Sequence, residues 1–150
     1  MRYRHDPEGG TAPVDPAPGE RMLGSWVCWD VGRRFGVLLD ALAMADQVGK
    51  GDKPFAPWDS EGFAVAFEPD GVTIASNFGD PDSTVYPVDA VRAALEDYWA
   101  FLVALPEREG QRRFRPDLAE WEADLLQWEQ TWQLRHPYRG RLGIPLEGPA

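Results

Sequence analysis

The sequence predicts an α+β fold: a small antiparallel sheet of three or four strands, packed against about three helices. Three observations predict it. Apolar and small or polar residues alternate on either side of Pro69-Asp70-Gly71, as they do in a half-buried hairpin. Three other stretches, near residues 33–48, 88–105 and 117–135, repeat their apolar positions every three or four residues, as amphipathic helices do. The order helix, hairpin, strand, helix, helix separates the strands from most of the helical mass. At 150 residues the chain fits one domain, able to bury roughly two-thirds of the surface its unfolded state exposes.

Residues 1–24 contain Pro7, Pro13, Pro16 and Pro18 with Gly9, Gly10, Gly19 and Gly24. This composition breaks both periodicities and predicts a flexible, loosely attached arm. Trp26-Val27-Cys28-Trp29 then reads as a short strand or the lead-in to a helix, opening a domain that spans residues 25–136. Val31, Phe35, Leu38, Leu39, Leu42, Ala45 and Val48 follow helical spacing up to Gly49, a suitable terminator. The segment from Gly49 to Pro57 reads as a loop. Phe63, Val65 and Phe67, then Val72 and Ile74, form the hairpin, and Ser83 to Tyr86 form a third strand.

Pro87 suits a helix start, with Asp89 placing negative charge near the positive end of the helix dipole. Val88, Val91, Leu95, Tyr98, Trp99, Leu102 and Leu105 then form a stripe that should cover the sheet. From Pro116, Leu118, Trp121, Leu125, Trp128 and Trp132 repeat at helical steps until His136-Pro137. Residues 137–150 read as an extended tail.

Charge and composition narrow the function classes. The chain carries 25 Asp and Glu against 15 Lys and Arg, a net charge of −10, with one Cys and two His. Between residues 61 and 105, Glu61, Glu68, Asp70, Asp80, Asp82, Asp89, Glu96 and Asp97 face Arg92 alone. Such a field repels phosphate backbones and disfavours direct nucleic-acid binding, whereas a basic protein partner would be attracted. A single Cys28 predicts a reducing compartment without disulfides. The first residues have no apolar run behind their charges, and the longest apolar stretches fall well short of the roughly 20 residues that span a membrane. A soluble, cytoplasmic protein is the expectation.

No pattern of residues matches a cofactor or catalytic motif, so the sequence predicts no cofactor, no metal and no enzyme. Asp80-Pro81-Asp82 lacks the spaced ligands and closing Glu of a calcium loop. His5 and His136 have no partner ligands nearby in sequence, and His136 is expected to cap the C-terminus of its helix. Cys28 reads as a small buried hydrophobe. Arg108, Arg112, Arg113 and Arg115 are expected to pair with neighbouring acids. Two groups remain as candidate partner-binding residues. The first is Glu68, Asp70, Asp80 and Asp82 on and after the hairpin. The second is Trp121, Trp128 and Trp132, large aromatics of the kind enriched at interface hot spots, although core packing is the simpler role for them.

The hairpin Phe-Ala-Val-Ala-Phe-Glu-Pro-Asp-Gly-Val-Thr-Ile, followed by Val85-Tyr86-Pro87-Val88-Asp89-Ala90-Val91 entering an amphipathic helix, resembles the small acidic immunity proteins of bacterial polymorphic toxin systems over about residues 60–105. The resemblance implies a cytoplasmic inhibitor that binds a cognate toxin and performs no chemistry itself. The usage of Ala, Gly, Pro, Arg and Asp, with only two Lys, fits a GC-rich bacterial genome. Alternative classes are a general interaction or structural subunit associating through its tryptophan helix, and an unrecognised small-ligand-binding protein or enzyme.

Overall fold

A computed structural model describes residues 1–78, 83–108, 110 and 114–150. Its elements are β1 (Tyr3–His5), β2 (Thr11–Pro13), α1 (Arg21–Ser25), α2 (Phe35–Gly49), β3 (Phe63–Glu68), β4 (Gly71–Ser76), β5 (Ser83–Tyr86), α3 (Val88–Ala104) and α4 (Glu120–Trp132). A 3-10 turn, Pro18–Glu20, precedes α1, and a π-helical turn, Trp26–Val31, continues it. The fold is α+β, with β3-β4-β5 in one antiparallel sheet and β1-β2 in a separate antiparallel pair.

Strand alternation sets the register. Phe67 pairs with Val72, and Val72 in turn with Tyr86, so these three buried side chains share the inner face, while Ala66, Thr73 and Val85 share the outer one. Gly71 opens β4 beside β5, where an added Cβ would meet Val85 Cγ1 at 3.0 Å and the Tyr86 carbonyl at 3.2 Å. Only glycine fits this approach.

The inner face is covered differently from the sequence expectation. α4 packs on α2 and not on the sheet, while the helix Arg21–Val31, which the Pro/Gly-rich composition concealed, lies against β4. Trp26 in its π turn stands edge-on to Trp58 at 5.1 Å and to Phe67 at 6.0 Å. The Tyr86 hydroxyl joins sheet to helix, donating to the Gly19 carbonyl at 2.7 Å and accepting the Leu23 N–H at 3.1 Å. Gly32 ends the π turn at φ 60° and ψ −149°, a combination that suits glycine, and its N–H closes on the Val27 carbonyl.

Residues 1–24, expected as a loose arm, instead form β1, β2, the 3-10 turn and most of α1. Few side chains attach them, but those are buried or well bonded. The Tyr3 hydroxyl donates to the Ala94 carbonyl on α3, and its ring meets Tyr98 edge-on at 4.8 Å. The Tyr98 hydroxyl donates to the Gly32 carbonyl at 2.8 Å, so the buried Thr11 hydroxyl, 2.7 Å away, donates to it. Residues 137–150 are likewise pinned: Tyr138 and Ile144 are buried, and the Tyr138 hydroxyl donates to Glu96.

α2 is central. Residues Ala41 to Asp46 are all buried, and both α3 and α4 pack on α2. Trp99 on α3 is 2% exposed, with Phe35 of α2 at 5.3 Å and Trp121 of α4 at 6.0 Å. Among the described residues, no helix is long and apolar enough to cross a membrane.

Two stability measurements test this packing. Trp99→Ala should cost about 3–5 kcal/mol in urea unfolding, and a change within about 0.5 kcal/mol would mean that Trp99 is not core. Removing residues 1–16 strips Tyr3 and Thr11 from α3 and should lower stability by about 2 kcal/mol or more. An unchanged urea midpoint in the shortened chain would show that the β1-β2 pair contributes nothing to the core.

Candidate functional site

Val37, Asp40 and Met44 recur on α2 at steps of three and four residues, which aligns them on one helix face, and Arg34 at the N-cap of α2 precedes them. This face forms one wall of a cleft of about 420 Å³. Asp30 from the π turn, the connection Ala56 to Gly62, and Trp132 at the end of α4 supply the rest of its lining.

Several bonds hold the walls in place. The Phe55 N–H donates to Gln47 Oε1 of α2 at 2.7 Å, and the Phe55 ring meets Trp132 edge-on at 4.6 Å. Trp58 bridges to Val65 at the edge of β3 and donates its indole N–H to Asp30 Oδ2 at 2.7 Å. The Ser60 hydroxyl and the Phe63 backbone bond reciprocally where the connection enters β3. A site held by so many fixed contacts is largely formed before any ligand arrives.

The electrostatics of the cleft are one-sided. Asp30, Asp40, Asp59 and Glu61 line it with Arg34 as the one cation. The Arg34 guanidinium is turned back onto the Asp30 and Val31 carbonyls at the end of the π turn. Among the described residues, no ion pair engages any of the four carboxylates. Burial pushes the Asp40 carboxyl above its usual range, opposed by the Trp128 and Trp132 indoles, and Trp128 donates to Asp40 Oδ1 at 2.7 Å.

One exposed aromatic lines the cleft, and two more adjoin, in sequence, residues that line it or bond to its lining. Trp29 precedes Asp30 and is 72% exposed, as is Phe78, and Trp132 is 41% exposed. Phe78 follows Asn77, whose backbone N–H donates to the Gly62 carbonyl and whose side-chain amide donates to that of Glu61. Both acceptors belong to cleft-lining residues.

The sequence-predicted residues are distributed over the molecule. Trp132 is in the cleft, and Trp128 is buried behind it. Trp121 sits at the start of α4 against Trp99, about 16 Å from Trp132 along the helix axis. Glu68 and Asp70 are exposed at the β3-β4 turn, five residues along β3 from the end that borders the cleft, or about 17 Å. Asp80 and Asp82 lie outside the described residues. Asp30, Arg34, Asp40, Trp58, Asp59 and Glu61 escaped the sequence reading because they come from three separate stretches of chain. Their only local signal is the mixture of tryptophan and acid in Trp58-Asp59-Ser60-Glu61.

The remaining candidate groups have structural roles. Cys28 is buried, and its burial pushes the thiol up to about 11, so it remains protonated at neutral pH. Arg108 pairs with Glu120 at 3.2 Å and Arg115 with Asp117 at 2.9 Å, while Arg112 and Arg113 lie outside the described residues. Among the described residues, no three His, Cys, Asp or Glu side chains converge to hold a metal.

His136 departs from its expected place at the end of α4, because its ring is buried against α2. Nε2 is 2.8 Å from the Leu39 carbonyl, Nδ1 accepts the Tyr138 N–H at 3.0 Å, and the Trp128 ring lies 4.4 Å away. These bonds require the neutral Nε2–H tautomer. Below the ring, burial alone would raise the Glu129 carboxyl, but Arg139 and the His136 backbone N–H hold it below its usual range.

No protein-family model, curated protein or solved structure matches this chain.

Burial, the largest cause, lowers the His136 pKa from 6.5 to about 4. The neutral ring therefore contributes stability that is complete above pH 6.5 and falls as the pH drops toward 4, because the unfolded imidazole takes up a proton the folded one refuses. The full loss is about 3 kcal/mol. Asp40 has the opposite sign, since a raised carboxyl favours the folded state at low pH. Urea midpoints at pH 7.5 and pH 5 should differ in the wild type and converge in His136→Asn. An unchanged difference in that variant would assign the pH dependence to another group.

Proposed function

We propose that this chain is an acidic, non-catalytic protein-binding domain that neutralises a basic partner, as an immunity protein or inhibitor does, and that it engages the partner through the cleft between α2, the Ala56–Gly62 connection and Trp132. The observation that carries this reading is that the half-exposed Trp132 lines the same cleft as four carboxylates that, among the described residues, have no ion-pair partner. Solvent-exposed tryptophan and phenylalanine are costly to leave in water and serve well as interface anchors. Carboxylates beside them steer a positively charged partner and select its orientation.

Alternative surfaces have weaker support. Association through the tryptophan helix would need a stripe free to dock, whereas Trp121 and Trp128 are committed to contacts with Trp99 and Phe55. An enzymatic reading would need a nucleophile or a matched acid–base pair. Cys28 is buried, and the His136 ring is engaged at both nitrogens.

Co-expression with the products of the adjacent genes tests the function. One such product should be basic, toxic when expressed alone, harmless beside this chain, and recovered with it as a complex. Trp132→Ala combined with Phe78→Ala should weaken that complex at least about tenfold without lowering the unfolding free energy by more than about 1 kcal/mol. If no adjacent product is toxic or bound, the inhibitor reading fails. A complex unaffected by the double substitution would place the interface elsewhere.

A further inference from the structure

Resting on the protein-binding reading above, we infer that the cleft receives an arginine side chain projecting from the basic partner, its guanidinium lying among the Trp58 and Trp132 indoles and the Asp40, Asp59 and Glu61 carboxylates. Charge sets the sign of the ligand. The carboxylates are lodged in a concave wall with Arg34 already engaged on backbone carbonyls, so an entering cation meets no competing internal one. An anion would meet only repulsion.

Shape and wall chemistry select among cations. Indoles attract positive charge through their π faces, and tryptophan is the strongest of the aromatic residues in this respect. Guanidinium is planar and weakly hydrated, stacks on such rings, and presents a fork of N–H donors that matches a carboxylate. Ammonium holds its water more strongly and offers no flat face. A volume of about 420 Å³ lies near the lower end of ligand-sized cavities, enough for one extended side chain with residual water. Trp29, next to the lining residue Asp30, and Phe78, next to Asn77, would cover the partner's backbone around the inserted group and exclude water from it.

Indole N–H signals in a proton–nitrogen NMR spectrum of the full-length chain provide the test, assigned through Trp58→Phe and Trp132→Phe. The probes are the capped tripeptide Gly-Arg-Gly, its lysine counterpart, and its citrulline counterpart, which keeps the shape of arginine without the charge. The arginine peptide should shift the Trp58 and Trp132 signals saturably, with a dissociation constant of about 1 mM. Lysine should bind at least about fivefold more weakly, and citrulline should leave the signals in place. Asp59→Asn with Glu61→Gln changes two exposed side chains, so the free spectrum should persist while arginine binding weakens about tenfold.

Three results would overturn the inference: no shift at roughly 20 mM arginine peptide, equal shifts from citrulline, or unchanged binding by the Asp59/Glu61 variant. Tighter binding of tetramethylammonium than of the arginine peptide would also overturn it, pointing to a free quaternary cation. The outcomes separate from those of the function test. A toxic partner neutralised equally well by the Asp59/Glu61 variant would refute the arginine pocket and leave the inhibitor reading standing. Selective arginine binding without any such partner would do the reverse.

Discussion

The burial of six consecutive residues on α2, Ala41 to Asp46, is the constraint on which the rest of the structure depends. A helix buried all round cannot be satisfied by one sheet face and must be enclosed. α3 and α4 pack on it, β3 touches it, and the segment after α4 returns His136 to its Leu39 carbonyl. The enclosure takes in Asp46, whose carboxylate cannot reach open solvent. Cations from three places answer it: Lys50 at 2.9 Å from one turn further along α2, Arg92 at 2.9 Å from α3, and Arg141 at 3.1 Å from the C-terminal segment. A buried carboxylate stripped of such partners is among the costlier defects a core can carry. The cluster ties α2, α3 and the C-terminal segment to one buried carboxylate.

The same requirement explains why the chain ends are ordered despite their composition. Proline and glycine break helices and strands, but they do not prevent single buried anchors from holding a segment. Thr11 and Tyr3 anchor one end, Tyr138 and Ile144 the other, and each tyrosine brings a hydroxyl that finds a buried or half-buried acceptor. Composition records the absence of periodicity. It does not record isolated contacts of this kind.

Legibility in the sequence follows from the same distinction. α3, α4 and the β3-β4-β5 sheet were readable because each buries one regularly repeating set of positions, with a period near 3.6 or 2, and α2 because Phe35, Leu38, Leu39, Leu42 and Val48 keep helical spacing although Ala41 to Asp46 are all buried. The helix Arg21–Val31 was not, because its buried run Trp26-Val27-Cys28 is continuous and its ends are a 3-10 turn and a π turn, which shift the repeat. α4 was readable as a helix, yet its packing against α2 instead of the sheet was not, since an apolar stripe shows that a face is buried without naming what buries it. Of the cleft, only Trp132 was legible. Asp30, Asp40 and Trp58 become neighbours through tertiary folding, and no spacing along the chain encodes that meeting.

Negative charge in this protein accordingly has two different physical settings. Glu68 and Asp70 stand on a convex hairpin turn, solvated on most sides, where water and salt screen them beyond a Debye length of about 8–10 Å at physiological ionic strength. They can bias the approach of a charged body but provide no walls to retain it. Asp40 and Asp30 are half buried, each already bonded to an indole N–H at 2.7 Å, in a concavity where low-dielectric walls focus the field. Each indole N–H takes one lone-pair site of its carboxylate and leaves others for a second donor. In the proposed reading the total charge of −10 governs long-range attraction, while discrimination between one cation and another falls to these few carboxylates and the tryptophans bonded to them.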